Sequence, residues 1–214
     1  RNGKRITFRD KTSFVWMRPL DQVIYSSPIV ADVLDSNPGN EVIVGSGCFF
    51  PQNSSDKSGK WLKILSAKTG VVLQTLVTTG CLSSAPAVAD LDEDGTLEIV
   101  ATVNGARNIG GDGYSRVMAW MWPSSSATTG KASSPTAIWS MVPTINNRND
   151  SNGGTFQSPA IADIDGNGSL EVLAANGSGV VVIEGRTGQQ LTCAGSSCSG
   201  SEFTLYTGDT VRST

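Results

Sequence analysis

Ser27-Pro-Ile-Val-Ala-Asp32, Ala85-Pro-Ala-Val-Ala-Asp90 and Ser158-Pro-Ala-Ile-Ala-Asp163 are one phrase written three times, each running into an acidic loop and a second apolar segment. The loops read Asp90-Leu-Asp-Glu-Asp-Gly-Thr-Leu-Glu98 and Asp163-Ile-Asp-Gly-Asn-Gly-Ser-Leu-Glu171, with a looser copy running from Asp32 through Asp35, Asn37 and Gly39 to Glu41. Oxygen-bearing side chains on alternate residues, a glycine at the turn and a closing carboxylate are what a hard cation such as Ca2+ requires. The closing glutamate comes sooner after the glycine than in an EF-hand, and the flanks are β-like. Pro-Ala-Val-Ala and Leu-Glu-Ile-Val-Ala are short apolar runs bounded by turn residues, the pattern of buried strands, and the acidic loop joins them as a hairpin.

In these three loop regions the chain resembles closely the FG-GAP/VCBS type of calcium-binding β-propeller repeat, found in integrin α-subunit propellers and many secreted bacterial proteins. As organisation the resemblance covers nearly all of the chain. It implies an all-β fold, a β-propeller whose blades are four antiparallel strands. In the third copy the strands are expected at 159–163, 170–175 and 180–184 and, after the turn Gly185-Arg-Thr-Gly188, near 203–207. The first copy continues with 41–45, 61–65, the turn Ala67-Lys-Thr-Gly70, and 72–77, and the second with 97–103, 116–122 and 137–141. The aspartates that open the loops are 58 and then 73 residues apart (90 − 32 and 163 − 90), an unevenness that insertions in loops explain.

The whole chain, 1–214, therefore reads as a single propeller segment: 1–26 end a preceding blade, and 27–82, 83–157 and 158–214 are three blades. Closed propellers need about four to eight blades. The expectation is a part of a larger propeller, or of an assembly of copies joined head to tail into a filament. A four-bladed ring sealed by the N-terminal strands is the other option, against which stands the lack of a fourth acidic loop. The start at Arg1, without methionine or a visible leader, reads as a processed chain.

Composition narrows the function. Charged residues are only 16% of the chain and the net charge is −3, which argues against a nucleic-acid surface. No run of about 18 apolar residues is present to span a membrane. Four cysteines fit a secreted or cell-surface protein. Cys48 follows the second strand of the first blade and Cys81 lies in the connection to the next, two positions that emerge on one face, so they are expected to pair. Cys193 and Cys198 flank Ala-Gly-Ser-Ser and are expected to form a local disulfide. Asn53, Asn149 and Asn176 head glycosylation sequons.

The expected cation ligands follow the register of the loops. In the second, Asp90, Asp92 and Asp94 offer side-chain oxygens, Thr96 its carbonyl and Glu98 its carboxylate. In the third they are Asp163, Asp165, Asn167, the Ser169 carbonyl and Glu171, and in the first Asp32, Asp35, Asn37 and Glu41. The chain has no histidine, which excludes Ser-His-Asp and Cys-His machinery. Among the acids outside the loops, Asp10, Asp21, Asp56, Asp112, Asp150, Glu184, Glu202 and Asp209, no spacing singles out a glycosidase pair. The Lys-Thr-Gly and Arg-Thr-Gly turns resemble those of quinoprotein propellers but are more simply tight turns.

Insertions at 49–59, 104–114 and 144–156 fall on the face opposite the acidic loops, where integrin-like propellers present ligand loops. Phe49, Phe50, Arg107 and Tyr114 are the expected contacts there, because aromatics and arginine dominate binding hot spots. The function read from the sequence is thus a noncatalytic extracellular module that binds a protein or glycan, or further copies of itself. The alternative is the propeller portion of a secreted carbohydrate-active enzyme such as a polysaccharide lyase.

Overall fold

The computed structural model describes residues 15–20, 22–48, 59–105, 111–121, 136–145, 148–149, 157–176, 179–193 and 203–204. The architecture is all-β, built on three antiparallel sheets met in chain order. The first sheet is β1 (Ile29–Ala31), β2 (Glu41–Gly45), β3 (Trp61–Ser66) and β4 (Val72–Val77), ordered as in the sequence. The second repeats it with β5 (Ala87–Ala89), β6 (Glu98–Val103), β7 (Arg116–Met121) and β8 (Thr136–Met141). A small hairpin follows, β9 (Thr144–Ile145) with β10 (Arg148–Asn149). The third sheet is β11 (Ala160–Ala162), β12 (Glu171–Asn176) and β13 (Gly179–Glu184). Each sheet opens on a three-residue edge strand preceded by Pro28, Pro86 or Pro159, a place where a residue without an N–H does no harm to the ladder.

The third unit departs from expectation at its fourth strand. Gly188 N–H bonds to the Glu184 carbonyl, the Glu184 carboxylate accepts the N–H groups of Arg186 and Thr187, and the chain turns straight back. Gln190 bridges to Ile183, and Leu191 N–H donates to the Val182 carbonyl, so 190–192 lies beside β13 where 203–207 was expected, and 205–207 lie outside the described residues. β15 (Phe203–Thr204) instead pairs, in parallel, with β14 (Thr192–Cys193). A tight turn leaves no slack for the longer excursion. Whether the two ends of the chain meet as a sealed blade falls on residues outside those described.

Alternation along the middle sheet builds two cores at once. In β6, Ile99, Ala101 and Val103 pack with Ile43, Leu62, Ile64 and Leu76 of the first sheet, whereas Val100 packs with Val172, Ala174, Val181 and Ile183 of the third. β7 divides in the same way, Met118 and Trp120 to one side, Val117 and Ala119 to the other. Successive strand side chains point to opposite faces, so β6, buried at all six positions, must lie between two layers. Each buried aliphatic side chain contributes about 1.5–3 kcal/mol of transfer free energy.

A tryptophan latch adds to the second interface. Trp139 of β8 donates its indole N–H to the Gly185 carbonyl at 2.8 Å, and its ring lies on Gly188, where an added Cβ would meet the ring at 2.5 Å. Gly188 also has φ +72°, a conformation that costs other residues strain. Trp16 repeats the contact on the first sheet: it donates to the Ala67 carbonyl at 2.7 Å and covers Gly70. Gly188→Ala is expected to cost at least about 2 kcal/mol, from strain and overpacking together, and Trp139→Phe about 1 kcal/mol for the lost hydrogen bond. Urea unfolding of the full chain measures both, and equal losses in the two variants would contradict the geometry.

Candidate metal centre

The three acidic hairpins share one register. Glu41, Glu98 and Glu171 begin the second strands and lie opposite Ala31, Ala89 and Ala162 at the ends of the first. All three glutamates are buried, with 0%, 0% and 1% of their surface exposed. Each takes a backbone N–H from the residue after the opening aspartate: Leu91 to Glu98 at 2.7 Å, Ile164 to Glu171 at 2.9 Å, and Val33 to Glu41 at 2.9 Å. The sequence marked these glutamates as closing ligands but not this amide partner, since any residue type can supply it.

The opening aspartates of the second and third loops are pinned alike. Asp90 accepts the N–H groups of Asp94 and Gly95, both at 3.0 Å. Asp163 accepts those of Asn167 at 3.1 Å and Gly168 at 3.0 Å. Wrapping the backbone round the carboxylate needs left-handed conformations at Gly95 (φ +89°) and Gly168 (φ +96°), and at the residue two before each. That residue is Gly166 in the third loop but Glu93, at φ 62°, in the second.

Two groups of carboxylates result. Oxygens of Asp90, Asp92 and Glu98 lie within 4.8 Å of one another, as do those of Asp163, Asp165 and Glu171, and among the described residues these are the places where three such groups could hold an ion. Asp94 stands aside: its carboxylate accepts both the N–H and the hydroxyl of Thr96, bonds that hold its pKa below the ordinary value. Asn167 likewise accepts from Ser169 N–H at 2.6 Å and donates to Asp165. Thr96 thus donates through its N–H and hydroxyl, and Ser169 through its N–H, to the fifth residue of each loop.

Glu98 is the electrostatic centre. Burial pushes its carboxyl up to about 7, the Leu91 N–H opposes this, and the nearby charges of Asp92, Asp94 and Asp90 add to it. One of its oxygens has no hydrogen-bond partner. The first loop differs. Asp32 and Asp35 are exposed and do not converge with Glu41, and the Asn37 amide donates to Glu41 instead. A groove of about 450 Å3 runs between the first and second loops, lined by Asp32, Asp35, Asn37, Gly95 and Thr96, so the two loops stand at the same end of the stack.

The β2–β3 and β6–β7 connections leave from the other end of their hairpins. There Cys48 and Cys81 form a disulfide, Cα atoms 5.6 Å apart, closing a separation of 33 residues, worth about 3–4 kcal/mol by loop-closure entropy. Tyr114 is 37% exposed, and its ring lies 5.9 Å from the Arg116 guanidinium. Arg116 also binds Asp112 at 2.6 Å. Although burial opposes it, that bond and the Tyr114 N–H keep the Asp112 carboxyl below its ordinary value. Phe49, Phe50 and Arg107, and the partner expected for Cys193 at Cys198, lie outside the described residues.

No protein-family model matches the chain, and no curated protein does. Among solved structures, the V. cholerae biofilm matrix protein Bap1 is similar over 77% of this chain, at 16% identity and a TM-score of 0.31. The chain spans about a quarter of that protein's chain, 27%.

Two outcomes follow from this electrostatics and backbone. Glu98 binds its proton more tightly folded, at about 7, than at the ordinary 4.5. The chelated protein is therefore most stable below about pH 4.5 as far as this group is concerned, and loses about 3 kcal/mol as pH rises through 7. Urea melts in chelator across that window measure the slope, and Glu98→Gln should flatten it. Glu93→Gly relieves a left-handed non-glycine residue and should stabilise the chain by about 0.5–1 kcal/mol. A loss of stability in that variant would contradict the strain.

Proposed function

We propose that the chain is part of a secreted, calcium-stabilised β-propeller that serves as a noncatalytic binding, adhesion or surface-assembly module. The observation that carries the cation is Glu98, fully buried beside Asp90 and Asp92 with one oxygen unpartnered. A buried charge without a partner is costly, and close carboxylate pairs repel by about 4 kcal/mol at an effective dielectric of 20. A divalent cation removes both costs. An all-oxygen donor set of carboxylates suits hard Ca2+ over softer metals. Asp90, Asp92 and Glu98 would hold one ion and Asp163, Asp165 and Glu171 another, with Asp94 and Asn167 turning in from their present hydrogen bonds.

Stacking supports the propeller reading. Each sheet packs face to face on its neighbour, and the short alanine-rich strands β5 and β11 touch, Ala85 N–H donating to the Ser158 hydroxyl at 3.0 Å. Small residues on converging inner strands are what blades ranged round an axis need. The disulfide fits an oxidising, extracellular setting. Among the described residues, the two acids outside the loops have structural work: Asp112 holds Arg116, and Glu184 caps the 184–188 turn. The end carrying the long connections, with Tyr114 exposed on it, is the face we assign to a protein or glycan ligand.

Chelation is expected to lower the melting temperature by at least about 5 °C, reversed by calcium. An unchanged melting curve in excess chelator, with no bound metal by elemental analysis, would sink the cation reading. Incubation with immobilised glycans should give retention without cleavage products, and released unsaturated or reducing ends would favour an enzyme instead.

A further inference from the structure

The first loop buries the same glutamate as the other two but satisfies it by other means. Glu41 Oε2 accepts the N–H groups of Val33 at 2.9 Å and Leu34 at 3.2 Å, and Oε1 accepts the Asn37 side-chain amide. In the second loop the oxygen equivalent to that last acceptor has no partner at all. The cause lies in the sequence. Seven positions separate Asp32 from Gly39 (39 − 32), against five from Asp90 to Gly95 (95 − 90), and Gly39 precedes Glu41 by two positions where Gly95 precedes Glu98 by three. The longer first limb folds into a turn closed by Asn37 N–H to the Leu34 carbonyl at 2.8 Å, and the turn swings the Asn37 amide across the loop. Asp32 and Asp35 are left on the surface.

We propose that the Asn37 carboxamide takes, in the first repeat, the place that a divalent cation takes in the second and third, so that the chain holds two cations and its first hairpin stays closed without one. The number two rests on the calcium reading above, whereas the amide lock does not. An amide N–H compensates a buried carboxylate as a cation does, but needs no loading and releases nothing to a chelator. With three N–H donors on Glu41, and neither neighbouring aspartate turned in, no oxygen cage remains for an ion. On this proposal Asp32, Asp35, Asn37 and Glu41, which the sequence pattern offers as ligands, hold no metal.

Three measurements on the intact chain decide it. Elemental analysis after calcium saturation should give two ions per chain, one each in Asp92→Ala and Asp165→Ala, and still two in Asp35→Ala. Three ions, falling to two in Asp35→Ala, would overturn the proposal. Asn37→Ala should lower the melting temperature by the same several degrees in calcium and in chelator, and a loss confined to calcium would mark Asn37 as a ligand and refute the lock. Hydrogen exchange on the unmutated chain covers the case of a variant that does not fold. On chelation the amides of Leu91 and Ile164 should exchange at least tenfold faster while those of Val33 and Leu34 are unchanged, and acceleration of all four would defeat it. Should the unmutated chain bind no calcium, the cation reading alone fails, and the Asn37→Ala comparison judges the lock by itself.

Discussion

A buried carboxylate at the root of each hairpin is the constraint on which the rest depends. Glu41, Glu98 and Glu171 enter the sheet where a hydrophobic residue would serve packing better, and each stands between a loop and a core. Taking a carboxylate out of water is expensive unless hydrogen bonds or an opposite charge replace the water. The loop is shaped by that demand. One backbone N–H after the opening aspartate is always aimed at the glutamate, which fixes how the chain leaves the first strand. Register follows, because a slip of one residue would carry the glutamate to the other face of the sheet.

The sheets depend in turn on one another. None of the three has a face that is polar throughout, and the middle sheet has none that is free, so its burial exists only in the stack. The latch extends the same logic to the outer strands. Trp139 leaves β8 to lie on the turn of the third sheet, and Trp16 lies on the matching turn of the first, although no described sheet precedes it. The two contacts place Trp16 where an outermost strand of a neighbouring sheet would put its tryptophan.

Much of this was legible because it repeats. The phrase ending in Ala-Asp, recurring at 32, 90 and 163, located the first strands, and the apolar runs after each glutamate located the second. Strand parity placed Cys48 and Cys81 at one end of the first hairpin pair, and the disulfide joins them. Local chemistry was harder to read. The composition of 189–203 could not say where the chain rejoins β13, since the Glu184 side chain decides it by capping the turn. In the first loop Asp35 and Asn37 fit a ligand pattern by residue type. The sequence did not show the turn at 34–37, in which the Asn37 side-chain amide donates to Glu41.

Position gives the second loop a reach that the third lacks. Glu98 is followed at once by Ile99, in the core shared with the first sheet, and by Val100, in the core shared with the third. Loosening the hairpin at Glu98 therefore disturbs two interfaces, whereas Glu171 leads into Val172 and Ala174, which belong to one. The first loop, closed by an amide, anchors the other side of the first interface. A cation held by Asp90, Asp92 and Glu98, as proposed, would therefore bear on how all three sheets sit together.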